Sequence, residues 1–491
     1  MKRILNFVDS NIYSDTYGFA DRNYWSWRTK DFNNGSFQSL IYAISCIKNE
    51  EIFKEIYSTH NINKKIDKAY DAYKEGCFKE LEQQGSSQES FPNENSFCVT
   101  ATLLFDLISA LKISKEIKNL NDKEKNILEK TAIFLTKNIE SHANIGNHLL
   151  GSLAALSIYL ENIDSKNTII QEGAIKIADK ARSLWNDEGW LEEYGGVDIG
   201  YLSLSLHYLM DIDSKYLNEK EKWIHLIIEF ILHFFHMDGS IGNYYGSRGS
   251  SIIYPSGLIR TGIKDINEFL ISSIKTNKIP TQADLDDVNF APFINSLIKS
   301  TIYFDSNASE RINLPIKRNQ YIKIFKNAGF IILINKENQT IVDLNKSGII
   351  SEFTRLGSTR EPIPSIINKK SRKVFCTVNS NYIFHENTKI TVKIESKFYE
   401  INTKPLSRMH MIGSRVLIPF FILFPWILRR LKLIAVSKYF LPRKSVGSHF
   451  RKLIIENYKL DFIDEFDIPV QYTLVDDFFH HPVRMASQNY Y

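Results

Sequence analysis

Apolar residues change their spacing once along this chain of 491 residues, and that change constrains its fold most strongly. From Ser36 to about Ser300, apolar residues recur at intervals of three and four, as in CVTATLLFDLISALKI and HLLGSLAALSIYL. This spacing is typical of amphipathic helices, and short polar breaks separate ten or more of them. From about Asn307 the interval becomes two, as in YIKIFKNAGFIILINKENQTIVDLN, which is typical of strands that bury one face. The sequence therefore predicts an α+β multidomain protein, with helices first and antiparallel sheets second.

Three regions follow from these patterns, because a chain of this length is too long for one hydrophobic core. Residues 1–35 are predicted to form an aromatic N-terminal strap, residues 36–305 a helical domain, and residues 306–491 a β-sandwich domain. Consecutive helices with short links pack as antiparallel hairpins, and this many hairpins form either a solenoid or a closed toroid. No fixed-length repeat is visible in the sequence, which favours the toroid.

Positive charge is concentrated in one segment of the C-terminal region. The chain has 61 basic and 56 acidic residues, and nine of the basic ones lie in Arg415–Lys452, where there is no acidic residue. At about 415–445 this basic-aliphatic insertion interrupts the strand pattern. Its apolar run Val416–Leu428 contains two prolines and is shorter than the roughly 20 residues of a membrane-spanning helix. Three interpretations stay open: a helix on an anionic membrane surface, a helix packed against the protein, or a partner-binding element.

Several classes of location and function are disfavoured by what the sequence lacks. The N-terminus has no apolar stretch of signal-peptide length, so we expect a cytoplasmic protein whose only membrane contact is peripheral, through Arg415–Lys452. Basic residues there accompany aliphatic ones and no recognition motif occurs, so we expect no nucleic-acid partner. HExxH, GxSxG and zinc-type spacings are absent, and the four cysteines form no CxxC, so the sequence predicts no metal and no other cofactor.

Four short polar and aromatic stretches interrupt the helical pattern, and two of them lie before residue 152. The stretch YWSWRTKD carries Trp25 and Trp27, whose flat rings suit a sugar-binding wall and equally suit a strap that plugs the helical domain. The stretch NIGNHLLG opens a helix with Asn147 and His148 in its first turn, where the helix dipole favours a negatively charged ligand. Asn147 could hold a substrate carboxylate while His148 moves a proton; otherwise Asn147 only caps the helix.

The other two stretches lie at residues 190–201 and 237–257. In WLEEYGGVDIGY, Tyr201 is a candidate acid or base if a neighbouring cation lowers its pKa. Glu193 and Asp198 could instead form the carboxylate pair of a glycoside hydrolase, or belong to a capped and solvated helix start. In MDGSIGNYYGSRGS, Tyr245 is a candidate substrate contact and Arg248 could bind a carboxylate or phosphate in bidentate fashion. An ordinary long loop is the alternative for this last stretch.

With these stretches in view, the chain resembles heparinase II/III-like proteins, including forms that accompany bacterial polysaccharide assembly genes. The likeness is carried by FADRNYWSWRTKDFNNGSFQ, GNHLLGSLAAL, EEYGGVDIGYLSLSL and GNYYGSRGS, and in order and domain type it covers nearly the whole chain. The resemblance implies an incomplete (α/α) toroid of helical hairpins, joined to an antiparallel β-sandwich. Lyases of this family cleave uronic-acid polysaccharides by β-elimination.

The resemblance also implies roles for individual residues. In family lyases an Asn or His neutralises the carboxylate, a Tyr or His removes the adjacent proton, and a Tyr often protonates the leaving oxygen. By motif, Asn147 and His148 match the Asn-His pair at a helix start, and Tyr201 matches the Tyr of the following loop. Arg248 has no firm counterpart, and the aromatic-His pair usual near the lyase tyrosine is replaced here by Gly200-Tyr201-Leu202.

The leading prediction is an enzyme of bacterial surface polysaccharide metabolism that acts on a uronic-acid-containing or otherwise anionic glycan. β-Elimination, or epimerisation through the same proton abstraction, would use Asn147 and Arg248 to neutralise the carboxylate. His148 and Tyr201 would exchange protons. Two alternatives stay open: a non-catalytic glycan-binding or assembly protein at the membrane, and a glycoside hydrolase. The other predicted substrate-binding residues are Trp25, Trp27, Glu193, Asp198 and Tyr245.

Overall fold

The computed structural model describes residues 1–56, 60–90, 92–140, 143–242, 245–285, 287–386, 389–400 and 445–475, together with residues 409, 412, 413 and 416. It confirms the α+β prediction, because the N-terminal part is helical and the C-terminal part consists of antiparallel sheets. The α-helices are α1 (Lys2–Phe7), α2 (Arg22–Trp25), α3 (Leu40–Asn49), α4 (Glu51–Ile56), α5 (His60–Glu82), α6 (Phe97–Ile113), α7 (Asp122–Lys137), α8 (Gly146–Asn162), α9 (Thr168–Ser183), α10 (Ile199–Leu209), α11 (Lys220–Leu232), α12 (Ser256–Ile259), α13 (Lys264–Lys275) and α14 (Asp287–Tyr303).

Six helices pack on one another in a closed series, in which the last helix contacts the first. Helix α3 packs on α6, α6 on α8, α8 on α10, α10 on α12, α12 on α14, and α14 again on α3. Nearly every residue of α6 and α8 is buried, whereas α9 buries a single stripe. Helices that are apolar on all sides belong in an interior, and one-sided helices cover them. The six inner helices are accordingly covered by α5, α7, α9, α11 and α13, which each pack on at least one of them.

The helical part also contains largely buried charged side chains that pair with one another. Asp211, just after α10, accepts hydrogen bonds from Lys299 of α14 and from Arg260, whose Nη1 is 3.0 Å from both carboxylate oxygens. Burial alone would raise the pKa of Asp211, but Lys299 and Arg260 lower it. A carboxylate with two cations this close is well compensated, so opposite charge helps to hold α10, α12 and α14 together.

The helical part contains two features that the apolar pattern did not indicate. A two-stranded hairpin, β1 (Trp185–Asn186) and β2 (Trp190–Leu191), lies between α9 and α10. Strands of two residues are too short to show an alternating pattern in a sequence. The N-terminal strap also contains two short helices, and the side chain of Asp21 caps α2 by accepting from the backbone N–H of Asn23.

Two antiparallel sheets make up the C-terminal part. Their strands and the four 3-10 segments of the chain are β3 (Gln320–Phe325), β4 (Phe330–Asn335), β5 (Asn338–Asp343), β6 (Ile349–Thr354), β7 (Gly357–Arg360), β8 (Ser365–Asn368), β9 (Val374–Glu386), β10 (Ile390–Glu400), β11 (Ser445–Glu456), β12 (Lys459–Asp467), β13 (Tyr472–Val475), η1 (Gly35–Ser39), η2 (Ile117–Asn119), η3 (Pro315–Lys317) and η4 (Leu344–Lys346). The first sheet has the order β3-β4-β5-β6-β7 and the second β12-β11-β10-β9-β8-β13. One of the sheets curls into a half-barrel.

The first sheet is the middle layer of the molecule. Successive residues of a strand point to opposite faces of its sheet. Phe330 and Ile332 of β4 belong to the same apolar core as the helices, whereas Ile331 and Leu333 share a second core with residues of β10 and β11. Helices, first sheet and second sheet therefore form three successive layers.

Hydrogen bonds fasten the helical part to the first sheet at several places, two of which are far apart in the sequence. Nε2 of Gln339 donates to the carbonyl oxygens of His233 and Phe235, at 3.0 and 3.1 Å. Elsewhere, the backbone N–H of Ala328 donates to Glu188 at 2.8 Å. Because Glu188 lies in the turn of the β1–β2 hairpin, that hairpin supports the sheet as well as the neighbouring helices.

The predicted insertion at about 415–445 lies almost entirely outside the described residues. Strand β10 ends at Glu400 and β11 begins at Ser445. These two strands pair directly, and Tyr399 is the register partner of Ser445. The chain therefore leaves and re-enters the second sheet at adjacent positions.

One basic residue of the segment Arg415–Lys452 has a defined structural role. Arg451 of β11 is 6% exposed and makes two hydrogen bonds of 2.7 Å to Asp464, with a further one of 2.6 Å to Glu361. The positive charge of Arg451 is therefore paired with carboxylates inside the protein, and it does not contribute to a contact with an anionic surface. Across the described parts of the chain, no helix combines the length and the apolar character that crossing a membrane requires.

Candidate active site

The predicted site residues of α8 and α10 lie at the N-terminal ends of these helices, where the chain after β2 crosses the start of α8. The backbone N–H of Gly146 donates to the carbonyl of Glu192, and that of Tyr194 donates to the carbonyl of Asn144, both at 2.9 Å. A Cβ atom on Gly146 would lie 2.6 Å from Cβ of Leu191, so this close crossing requires glycine. The crossing brings the residues after Leu191 against the first turn of α8.

Glu193 and Asn147 form the centre of this crossing. Nδ2 of Asn147 donates to Oε1 of Glu193 at 2.6 Å, and the backbone N–H of Asn147 donates to Oε2 at 3.3 Å. Both residues are 3% exposed. Asn147 does not cap α8, since the cap position is Ile145, whose side chain makes no capping bond. Asn147 instead donates two hydrogen bonds from the first turn of α8 to the carboxylate of Glu193, and these bonds hold the carboxylate in place.

Glu193 has the pKa of a proton-transfer group. Burial raises its pKa to about 7, because His148 and the hydrogen bonds from Asn147 compensate only in part and Asp198 adds to the increase. A carboxyl group with this pKa is present in both protonation states near neutral pH, which suits general acid–base catalysis. Buried carboxyl groups with such shifts are concentrated at functional sites. Glu193, expected from the sequence to bind substrate, is therefore the strongest candidate for moving a proton.

The surroundings of His148 favour its positively charged form. Its Nδ1 is 2.6 Å from Oε2 of Glu140, and the two side chains are 16% and 17% exposed. Burial opposes the charged ring, but Cys98 and Glu140 raise the pKa of His148 well above its usual value. An imidazolium can bind a carboxylate or donate a proton, but it cannot accept one. Burial also raises the pKa of the Cys98 thiol, and His148 opposes that increase.

Asp198 and Tyr201 lie at the start of α10. The two carboxylate oxygens of Asp198 accept from the backbone N–H groups of Tyr201 and Ser250, both at 2.9 Å. Asp198 is 1% exposed, so the helix cap is buried rather than solvated. Burial and Tyr254 raise the pKa of Tyr201 well above its usual value, and the opposing effect of Arg248 does not reverse this. Tyr201 therefore carries its proton in the free protein and is suited to donate it.

Arg248 packs over the ring of Tyr194. Its guanidinium carbon is 4.1 Å from the ring centroid, and the residue is 4% exposed. Tyr194 has a φ of 55°, a left-handed conformation that bulky residues rarely adopt. Such strain persists where surrounding contacts impose it, often at ligand sites. The backbone conformation of Tyr194 therefore places an aromatic ring next to Glu193, and Arg248 packs on that ring. The positive charge of Arg248 in turn opposes the increase in the pKa of Asp198 and of Tyr201.

The first sheet supplies three charged residues to this region that the sequence did not indicate: Asp343, Lys346 and Arg360. Oδ2 of Asp343 accepts from the backbone N–H of Gly246 in the glycine-rich loop, at 2.9 Å and 97 residues earlier in the chain. Lys346 interacts electrostatically with Asp343, Arg360 and Asp198. The segment DLNKSG around Asp343 is a recognisable turn signal, but nothing in it indicates contact with a distant loop.

Tyr245 lies in the seam between the helices and the first sheet. Its hydroxyl is hydrogen-bonded to Nε2 of His236, whose ring stacks on Phe353 of β6. Tyr245 is 3% exposed and also packs against Phe330 of β4. These contacts make Tyr245 a support for the loop that carries Arg248.

The two tryptophans of the N-terminal strap have different surroundings. Nε1 of Trp25 donates to the carbonyl of Phe7 at 2.7 Å, so this partly buried ring packs towards α1. Trp27 is 68% exposed. The strap continues towards the start of α6, because the backbone N–H of Gly35 donates to the carbonyl of Gln88 at 2.8 Å. An aromatic wall for a sugar stays a prediction, and it applies better to Trp27 than to Trp25.

The structure brings Asn147, His148, Glu193, Asp198 and Tyr201 together, with Arg248 beside them. Among the described residues, no group of three or more His, Cys, Asp or Glu side chains is arranged to hold a metal ion. No protein-family model matches the chain, and no curated protein matches it. The resemblance to heparinase II/III-like proteins therefore stays a prediction from the sequence motifs.

Proposed function

We propose that the protein acts on an anionic, uronic-acid-containing glycan and removes the proton next to the uronate carboxylate. One observation carries the proposal. A carboxyl group with a pKa of about 7, an imidazolium, a protonated phenol and a buried guanidinium converge at the N-terminal ends of α8 and α10. Removing such a proton requires a base, a means of neutralising the carboxylate and, for chain cleavage, an acid.

The charge states assign the roles differently from the sequence prediction. Arg248 and charged His148 bind the substrate carboxylate, which makes the neighbouring C–H more acidic. Ionised Glu193, positioned by Asn147, accepts that proton. In β-elimination the glycosidic C–O bond then breaks, a carbon–carbon double bond forms, and Tyr201 gives its proton to the leaving oxygen. In epimerisation a proton returns to the opposite face of the same carbon, and the glycan chain stays intact.

The proposal extends to the finer architecture. Six inner helices contact one another in a closed series, and five further helices cover them on the outside. This arrangement supports an incomplete (α/α) toroid. The apolar core shared by the two sheets supports a β-sandwich. A role in bacterial surface polysaccharide metabolism, in the cytoplasm and peripheral to the membrane, belongs to the same proposal and rests on the sequence alone.

The test is incubation of the purified protein with a panel of acidic polysaccharides, with three readouts. Absorbance of an unsaturated uronate would establish β-elimination. Deuterium uptake from heavy water into the glycan without new absorbance would establish epimerisation. New reducing ends without absorbance would establish hydrolysis, and silence in all three readouts would contradict the proposal.

Tyr201→Phe separates the two steps of the elimination. The variant keeps Glu193, so we expect deuterium exchange next to the carboxylate to persist while chain cleavage is lost. Tyr13→Phe is the control, since Tyr13 is 91% exposed. Cleavage by Tyr201→Phe at the rate of the control would remove Tyr201 from the mechanism.

The two alternatives from the sequence have less support. Hydrolysis would also require Asp198 to react, and both of its oxygens accept backbone hydrogen bonds that cap α10, whereas one of the two donors to Glu193 is a side chain that can turn away. A non-catalytic role at the membrane depends on Arg415–Lys452, which lies mostly outside the described residues. Salt-sensitive liposome binding that disappears when Arg429, Arg430 and Lys432 are neutralised would support that role.

A further inference from the structure

The first turn of α8 presents two consecutive residues, and each of them is paired with a glutamate from a different segment. Asn147 donates to Glu193, which lies between β2 and α10. His148 is paired with Glu140, which lies between α7 and α8. Consecutive residues of a helix point about 100° apart, so the two pairs lie side by side at the helix start. One glutamate therefore meets a neutral amide, and the other meets an ionisable ring.

Glu140 holds His148 through one short contact. Oε2 of Glu140 is 2.6 Å from Nδ1 of His148, and the two side chains are 17% and 16% exposed. A hydrogen bond between an imidazolium and a carboxylate is stronger than one between neutral groups, and shielding from water strengthens it further. Because Glu140 occupies Nδ1, a substrate carboxylate can meet only the N–H group at Nε2. The contact therefore fixes both the orientation of the ring and the nitrogen that it offers.

The segment that carries Glu140 is anchored to the crossing at the start of α8. Nδ2 of Asn144 donates to Oε1 of Glu192 at 3.1 Å, and the carbonyl oxygen of Asn144 accepts from the backbone N–H of Tyr194 at 2.9 Å. These two bonds join the chain just before α8 to the residues on either side of Glu193. The partner of His148 and the candidate base are therefore held against the same helix start.

Ionisable groups of three segments interact with His148: Cys98 of α6, Glu140 and Glu193. Burial opposes the charged ring, whereas Cys98 and Glu140 raise the pKa of His148 well above its usual value. A thiol contributes negative charge only after it has lost its proton, and burial makes that loss harder for Cys98. Glu140, in direct contact with Nδ1, is therefore the partner whose charge stabilises the imidazolium.

We infer that Glu140 is a positioning residue that orients His148 and holds it in the charged form that binds the uronate carboxylate. Glu140 itself does not touch the substrate and takes no part in proton transfer. The inference rests on the proposed function, since that function names the group that His148 binds. It adds a requirement to the reaction. The charge on His148 has to persist at pH values at which Glu193 has lost its proton, because both are needed at once.

The first test follows the ring of His148 in the free protein by NMR, with isotope-labelled histidine and a His148→Gln variant that assigns the signal. We expect Glu140→Gln to move the titration of His148 to lower pH, because the negative charge beside the ring is lost. Glu140→Asp keeps the charge and should restore part of the shift. Glu161→Gln is the control, since Glu161 is 61% exposed and pairs with Lys112 on the surface.

Two results of this titration would overturn the inference. One is a titration of His148 that is the same in Glu140→Gln as in Glu161→Gln. The other needs no variant and is a wild-type His148 that titrates at the ordinary value of a histidine. Thermal unfolding of each variant distinguishes a lost charge from lost folding.

The second test measures turnover of the acidic polysaccharide across a range of pH. The rate should rise as pH passes the pKa of Glu193, about 7, and should fall at higher pH as His148 loses its proton. Glu140→Gln should move chiefly the falling limb, to lower pH, and Glu140→Asp should move it back. An equal loss of rate at every pH would indicate a merely structural role and would overturn the inference.

The two tests separate this inference from the proposed function. A titration of His148 that depends on Glu140, without turnover of any acidic polysaccharide, would support the role of Glu140 and reject the reaction. Turnover by the wild-type protein, with a titration of His148 that does not depend on Glu140, would overturn that role and leave the reaction standing.

Discussion

Glu193 and Asp211 are both carboxylates of the helical part, at opposite ends of α10, yet their pKa values move in opposite directions. Asp211 has Lys299 and Arg260 within hydrogen-bonding distance, and its pKa is lowered. Burial raises the pKa of Glu193 to about 7, because the amide donors of Asn147 and the ring of His148, which is itself paired with Glu140, compensate only in part. The comparison shows that partner charge, rather than burial itself, separates a structural carboxylate from one that can exchange protons.

Glu193→Gln should produce the largest effect in this comparison. The variant keeps the shape and an acceptor oxygen but cannot take a proton, so we expect turnover to fall by about two to four orders of magnitude. The measurement is the initial rate on the polysaccharide that the wild-type protein converts. Glu192→Gln is the matched control, because Glu192 is adjacent in the chain and its side chain accepts from Nδ2 of Asn144, at 3.1 Å, rather than from Asn147. Equal rates for the two variants would remove Glu193 from the chemistry.

Lys299→Met tests the structural side of the comparison. It leaves Asp211 with one of its two cations inside the ring, so we expect the free energy of unfolding to fall by about 3 kcal/mol. Urea denaturation measures this change. Lys222→Met is the control, since Lys222 is 62% exposed and pairs with Asp187 at 3.4 Å, a kind of ion pair that contributes little. Similar losses in both variants would show that the Asp211 network does not stabilise the ring.

The pH dependence of stability should also distinguish the two carboxylates. The folded pKa of Glu193, about 7, lies above its unfolded value, so its contribution to stability is present at low pH and is lost as pH rises through 7. Asp211 behaves oppositely, and its contribution is lost only as pH falls through its lowered pKa. We expect Glu193→Gln to gain about 2 kcal/mol over wild type between pH 5 and pH 8. Urea denaturation across that range measures the gain, and a constant difference would contradict the raised pKa.

Tyr194→Leu should have the smallest effect. It removes the aromatic face beneath Arg248, and we expect affinity for an anionic oligosaccharide to fall about five-fold, as for the loss of one cation–π contact. Isothermal titration measures the affinity. Tyr194→Phe keeps the ring and should bind like wild type, so a loss in both variants would point to the backbone conformation instead.

Much of the fold was predictable, because long segments with a clear apolar period have few alternatives. The inner helices α6 and α8 and the long strands β9 to β12 repeat their pattern over many residues, whereas β1 and β2 have two residues each. Asn147 and His148 were found because residues at a helix start have a local signature. The presence of Lys346 and Arg360 near these residues was not predictable, since it depends on how the first sheet packs against a loop that is distant in the sequence.

The charge states of the site residues could not be predicted from the sequence either. The phenol of Tyr201 has Arg248 nearby, as the sequence prediction required, but burial outweighs that cation and the pKa rises. Glu193 becomes a candidate base because its two hydrogen bonds come from the neutral residue Asn147. Both pKa shifts depend on how completely the folded protein excludes water from the side chain, and a local sequence pattern does not indicate this.

The pairing of β10 with β11 has a consequence for how this protein can be altered. Tyr399 and Ser445 are register partners, so residues 401–444 connect the two strands of an antiparallel hairpin. A short turn could join the strands there without changing the sheet. The second sheet could therefore keep its pairing if residues 401–444 were exchanged or deleted as one unit.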